Sequence, residues 1–380
     1  MATNRHEINR EQFFELLRAG LWSSFRHKIL AHGVAVNWEE VYRLAEEQSV
    51  IGLTADGIDR SKSQVSDFSI PKELVLQFIG SSLQIEQQNK EMNAFVVDFI
   101  EKLRKEDVYA ILVKGQGIAQ CYEKPLWRSS GDLDLLLSDS NYEKAKNVLD
   151  KIADSAGRET AKNTKRQHQD YKISGWTVEL HGTMHANLCR KIDKEIDKTQ
   201  REVFYGGKVR SWLNEGTHVF LPAPDEDVIF VFTHILQHLF LEGIGLRQIC
   251  DWCRLLYTYK DSLNHKLLES RIQKMGLMSE WKALYNLASK YLGMPDYGEG
   301  LMVHDSRFDK KSKRLMDFIM EVGNFGHNRE VELSNGFKRC TSLIWHRITD
   351  TMKLSLVFPV DAPKFLLNYA VDGVRGIVRW

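Results

Sequence analysis

The stretch LVKGQGIAQCYEKPLWRSSGDLDLLL, residues 112–137, decides the fold. Its left end completes YAILVKG (Tyr109 to Gly115), a short apolar, partly β-branched run closed by glycine, which reads as a buried strand. QGIAQCY reads as a short helix, and DLDLLL (Asp132 to Leu137) as a second strand. Alternate residues of a strand share a face, so Asp132 and Asp134 point one way while Leu133, Leu135 and Leu137 point to a core. Two carboxylates side by side at a strand end repel each other and call for a cation or a raised pKa. Magnesium suits the task, being a hard cation held by one or two carboxylates and completed by phosphate oxygens and water.

Working outward, Ser140 and Glu143 have capping-box spacing ahead of a helix through Tyr142, Ala145, Val148, Leu149 and Ile152. HQDYKIS and WTVELH read as two strands joined at Ser174-Gly175. Upstream, Phe95, Val96, Phe99, Ile100 and Leu103 form one face of a helix, and Asn37 with Glu40 caps an earlier one. After about residue 215 the pattern is helical again, with Asp225 as an N-cap and breaks at Pro359 and Pro363. The chain thus divides into a helical N-terminal region (1–105), an α/β core (106–215) and a helical C-terminal domain (216–380).

Composition narrows the classes. A 43% apolar fraction supports ordinary cores, and a net charge of +1 excludes the global basic field of a dedicated nucleic-acid binder. MATNRHEINREQFF lacks the apolar segment of a secretory signal. No stretch reaches the roughly 18 apolar residues of a membrane span. The five cysteines (Cys121, Cys189, Cys250, Cys253, Cys340) are odd in number and scattered, which argues against disulfides and for a reducing cytoplasm. Cys250 and Cys253 form a CxxC inside a helical pattern, without the second pair a zinc site needs.

Strand, glycine turn, short helix and Asp-x-Asp strand resemble the nucleotidyltransferase fold of the DNA polymerase beta superfamily. More closely, Lys114-Gly115, Tyr122 to Pro125, Arg128, and Asp132 with Asp134 resemble a bacterial family of uncharacterised nucleotidyltransferases. VELH (Val178 to His181) and LRQICDW (Leu246 to Trp252) resemble its downstream segments. The resemblance implies an α+β fold, a nucleotidyltransferase-fold mixed sheet core flanked by helical N- and C-terminal regions. It implies magnesium-dependent transfer of a nucleoside monophosphate from a nucleoside triphosphate such as ATP, with release of pyrophosphate. Asp132 and Asp134 would hold two magnesium ions, and Glu179, on the polar face of WTVELH, would be the third carboxylate and metal ligand. Lys114, Gly115, Gly117 and Arg128 would seat the triphosphate. This chain departs from the superfamily in having Glu where Asp is usual, and Lys-Gly-Gln-Gly where Gly-Ser is usual.

Other readings stay open. Lys114 and Arg128 can instead pair with Asp132 or Asp134. Arg247 and Asp251, at i and i+4, form an ion pair by default, and line the cleft if the resemblance holds. The pairs His181/His185 and His234/His238 lack the glutamate of a HExxH zinc motif, and the latter reads as the polar edge of a packed helix. Trp345, Phe358, Phe365, Tyr369 and Trp380 read as core or interface. The acceptor can be a small molecule, a protein or an RNA. A toxin-like enzyme acting on tRNA or protein and a non-catalytic nucleotide-binding scaffold are the rival functions.

Overall fold

Four helices precede the sheet: α1 (Ala2–Leu21), α2 (Trp38–Glu47), α3 (Ile51–Gln64) and α4 (Lys72–Lys105). The computed structural model describes residues 2–23, 36–64, 68–154, 168–297, 300–324, 328 and 336–378. The side chains of Cys340 and Tyr369, and Trp380 altogether, lie outside the described residues. Asn37 caps α2 as its spacing predicts, accepting from the Glu40 amide at 3.2 Å.

The middle of the chain builds a six-stranded mixed sheet in the order β3-β4-β2-β1-β6-β5. Its first half is β1 (Ile111–Val113), α5 (Gly115–Ala119), β2 (Asp132–Leu136) and α6 (Asp139–Ile152). The second is β3 (His168–Ile173), β4 (Trp176–His181), α7 (Arg190–Tyr205), β5 (Val209–Asn214) and β6 (Thr217–Pro222). β2 runs antiparallel to β1 and parallel to β4, with Asp134 opposite Glu179. Ser174 and Gly175, both at positive φ, turn the β3–β4 hairpin as predicted.

Period-2 alternation splits the core into two layers. Leu133, Leu135 and Leu137 pack with Met92, Val96 and Phe99 of α4 and Tyr142, Ala145 and Leu149 of α6. Val113 and Leu136 belong to the opposite layer, with α8 (Pro224–Leu241) and α9 (Leu246–Thr258). Asp132 and Asp134 therefore face α8 and α9. The remaining helices are α10 (His265–Met275), α11 (Met278–Leu292), α12 (Asp309–Val322), α13 (Gly336–Ser355) and α14 (Asp361–Val378). Helices from the two ends of the sequence share this second layer: Trp22 donates to the Leu292 carbonyl at 2.6 Å and Arg254 to that of Leu21 at 2.7 Å.

Three local expectations change. Residues 209–222 form a hairpin turned at Glu215-Gly216, both at positive φ, so the sheet extends to Pro222 and helices resume at Pro224 rather than after 215. α6 starts at the Ser138 cap, two residues before the Ser140 box. α8 is capped by Ala223 with Pro224 in its first turn, and the Asp225 carboxylate accepts from the Asn264 amide instead. Cys121, Cys189, Cys250 and Cys253 are free thiols, and no described helix is long and apolar enough to cross a membrane.

One close approach positions the site. A Cβ on Gly52 of α3 would stand 2.0 Å from the Trp127 carbonyl oxygen, one residue before Arg128. Gly52→Ala should therefore destabilise the protein by roughly 1–3 kcal/mol through overpacking. Gly80→Ala on α4, where a Cβ meets nothing within 4 Å, should be neutral or gain up to about 1 kcal/mol from helix propensity. Urea unfolding of both variants checks this; equal effects would mean that the contact is not tight.

Candidate active site

Between the sheet and helices α8 and α9 lies a cleft of about 400 Å³. Its floor is the polar face of β2 and β4. Asp132, Asp134 and Glu179 all line it, as do Lys114, Gly115 and Arg128. Gly117 does not: a Cβ there would meet the Leu221 side chain at 2.7 Å, so its bareness serves packing of α5 on β6.

Asp134 is 2% exposed and strongly held. Lys114 Nζ lies 2.5 Å and His181 Nε2 2.8 Å from its Oδ1. Its Oδ2 has no partner among the described residues, and neither oxygen of Asp132 has one. Glu179 Oε2 accepts from His168 Nε2 at 3.3 Å and lies at ion-pair distance, 3.3 Å, from His181 Nε2. Lys114 also donates to His234 Nε2 at 3.1 Å; His234 meets His238 at 3.1 Å, and His238 Nδ1 donates to Glu242 at 2.8 Å. Lys114 occupies positive φ (59°), as does Gly115 (38°). That conformation is strained for lysine; it swings the side chain off the strand end into the cleft.

The electrostatics follow from crowding. Burial, then the charges of Asp134 and Glu179, push Asp132 up to about 6. Burial also works to raise Glu179, but hydrogen bonds from His168 and His181 and the charge of Lys114 outweigh it and hold the carboxyl well below its usual range. Burial opposes the cations of Lys114 and His181, yet the surrounding carboxylates overcome it and raise both. His234 is held far below its usual value by burial and by its neighbours Lys114 and His238, so it offers Lys114 a lone pair. The negative charge is thus incompletely balanced. Asp132 and the free Oδ2 of Asp134 together have the donor chemistry of a hard divalent cation site. A second donor set, His168, Glu179 and His181, has its ligand atoms within 4.8 Å of one another.

Arg128 lines the cleft but pairs with neither Asp132 nor Asp134. It forks onto Asp251 of α9, Nε to Oδ1 at 2.8 Å and Nη2 to Oδ2 at 2.7 Å, while Nη1 donates to the Ser129 carbonyl at 3.1 Å. Tyr122 donates to the same Asp251 at 2.7 Å. Asp251 is therefore not the partner of Arg247, which donates to the Ser129 carbonyl at 3.1 Å. The carboxylates and Lys114 carried a sequence signal in their motif. The histidine wall (His168, His181, His234 and His238) did not, although the i, i+4 spacing on α8 and the alternation on β4 mark the faces concerned.

Compared with known proteins, residues 35–293 match the model of a family described as "Uncharacterised nucleotidyltransferase". No curated protein and no solved structure matches the chain.

Two outcomes are expected. Because Asp132 is raised in the folded protein, the stability of its neutral form is fully present below the unfolded value near 3.9 and is lost as pH rises through about 6. Asp132→Asn should thus be more stable than the parent by on the order of 1–2 kcal/mol at about pH 8, and indistinguishable near pH 3. Urea unfolding across pH checks it, and a less stable variant at pH 8 would contradict it. Arg128→Ala should cost about 3–5 kcal/mol by stranding Asp251, while Arg128→Met with Asp251→Leu restores most of the loss. A small effect of the single substitution would show that the fork is solvated.

Proposed function

The chain belongs to the uncharacterised nucleotidyltransferase family, and from that membership we propose that it transfers a nucleoside monophosphate from a nucleoside triphosphate to an acceptor hydroxyl or phosphate, with Asp132 and Asp134 as the essential carboxylates. The observation that carries the reading is the cleft floor: two carboxylates on one strand face, with unpartnered oxygens, opposite a third on the neighbouring strand. In the reaction the acceptor oxygen bonds to the α-phosphorus. The bond to the bridging oxygen breaks, its electron pair leaves with pyrophosphate, and the acceptor proton passes to a base or water.

Asp132 and Asp134 would hold the magnesium ions. When bound, such ions neutralise phosphate oxygens and lower the pKa of an acceptor hydroxyl. The chain's own groups do the rest. Lys114 and His181 fix Asp134 through one oxygen and leave the other open. Lys114 also carries a charge for phosphate oxygens, and Gly115 brings the backbone to the cleft wall without a side chain. Glu179, ionised and of low basicity between two imidazoles, positions His181 and closes the acid set better than it accepts a proton. The Lys114–Asp134 contact also favours a second reading, a scaffold that binds nucleotide without turnover, since a lysine there can substitute for a cation.

Pyrophosphate release from each of four ribonucleoside triphosphates with magnesium, using cell lysate as acceptor source, separates the two. Transfer predicts release that falls at least about a hundredfold in Asp132→Asn and in Asp134→Asn, with both variants folded. Magnesium-dependent nucleotide binding without release selects the scaffold.

A further inference from the structure

Arg128 commits three of its five N–H donors, the whole of its fork included, to Asp251 and the Ser129 carbonyl. Lys114 is shared between Asp134 and His234. The remaining cleft cation is Arg247, in the first turn of α9, one turn before Asp251. Its side chain makes one hydrogen bond among the described residues, Nη1 to the Ser129 carbonyl. Its Nε is buried without a partner, and no described carboxylate is within ion-pair distance. The guanidinium therefore stands with an unfilled edge beside a second arginine. Burial and the charge of Arg128 both act against its cation. A buried polar donor without a partner and a cation facing a like charge are each costly, and an oxyanion bridging the edge relieves both.

The place of Arg247 indicates which anion. It shares the cleft with Ser130, Gly131 and Gln248, and its bond to the Ser129 carbonyl ties it to the segment that leads into Asp132. Of the three carboxylates, Asp132 acts most strongly on its charge. Gln248 adds a carbonyl oxygen that is buried without a partner and an amide tied to Asn324 at 2.9 Å; it brings no charge, and the grip falls to the arginine. A guanidinium fork matches the paired oxygens of a phosphate better than a single point charge does.

We propose that Arg247 is the phosphate grip of the cleft, binding the β- and γ-phosphates of a nucleoside triphosphate whose α-phosphate lies at the carboxylates, and holding the pyrophosphate that departs. The assignment rests on the nucleotidyl-transfer reading for the identity of the anion. It gives Arg128 the role of a structural tie and moves the recognition role to Arg247, one helical turn before Asp251 on α9.

The test is calorimetric titration of the full chain in magnesium with inorganic pyrophosphate, ATP and AMP. Arg247→Ala should weaken pyrophosphate and ATP by about ten- to a hundredfold, the effect of removing a hydrogen-bonded charge, and AMP by no more than about twofold. Arg247→Gln, which can keep a donor to Ser129, is the second variant should the alanine protein melt early. The proposal is overturned if the parent fails to bind pyrophosphate, if the variants bind it as the parent does, or if AMP weakens as much as ATP, which would put Arg247 on the α-phosphate. A protein that grips pyrophosphate through Arg247 yet releases none from any triphosphate retires the transfer reading and leaves this one standing. Turnover that depends on Asp132 but not on Arg247 does the reverse.

Discussion

Three carboxylates on a sheet face that elsewhere is packed core set the terms for everything around them. Asp134 lies directly across from Glu179 in the β2–β4 register, and Asp132 is two residues away on the same face. Like charges at such spacing cannot all be ionised in a half-dry cleft without nearby cations. The chain supplies them from two directions. Lys114 comes from the end of the neighbouring strand through a positive-φ turn, and His181 from the same strand as Glu179. Both converge on one oxygen of Asp134. That leaves Asp132 without a cation of its own, and burial, then the charges of Asp134 and Glu179, raise its pKa. An empty-handed carboxylate next to a fixed one is the arrangement expected where an incoming cation, rather than a side chain, completes the site.

Two arginines divide the work on the opposite wall. Arg128 and Asp251 are each about 6% exposed, and their fork joins the loop before β2 to α9. Asn89 reinforces the tie by donating to the carbonyls of Leu126 and Arg128 at 2.7 and 2.8 Å. A buried pair of this kind contributes registration more than net stability, because desolvation offsets much of the attraction. Here the registration sets the distance between α9 and the acid-bearing strand, and with it the width of the cleft.

The sequence made the acid strand, its neighbours and the long α4 legible because each rests on a local rule. Alternation fixed the face of Asp132 and Asp134; the 3.6-residue period fixed the buried side of α4; Ser174-Gly175 fixed a hairpin. The β5–β6 hairpin escaped because VRSWLNEGTHVFLP exposes polar and apolar residues on the same outer edge, and its Glu-Gly turn is a weaker signal than Asn-Gly. The partner of Arg128 escaped for another reason. It is 123 residues away in sequence, and no spacing rule connects them. Local pattern assigned Asp251 to Arg247, four residues back on the same helix, while the fold gave it a bidentate partner from another element. A fork on a buried carboxylate outweighs an i, i+4 pair of a few tenths of a kcal/mol.

The same logic explains the histidines of α8. Val228 to Leu239 is apolar and buried almost all round, so a polar stripe there has few places to go. His234, His238 and Glu242 follow at intervals of four, which stacks them on one line of the helix. Read alone, that line is a wet edge. Yet His234 and His238 line the cleft, and the contacts His234 makes are to Lys114 and His238 rather than to a protein surface. A stripe whose members bond in series to a lysine that itself holds a cleft carboxylate is part of the cleft's support: it takes the second proton-donating direction of Lys114, keeps that side chain aimed at Asp134, and so keeps one oxygen of Asp134 occupied and the other open.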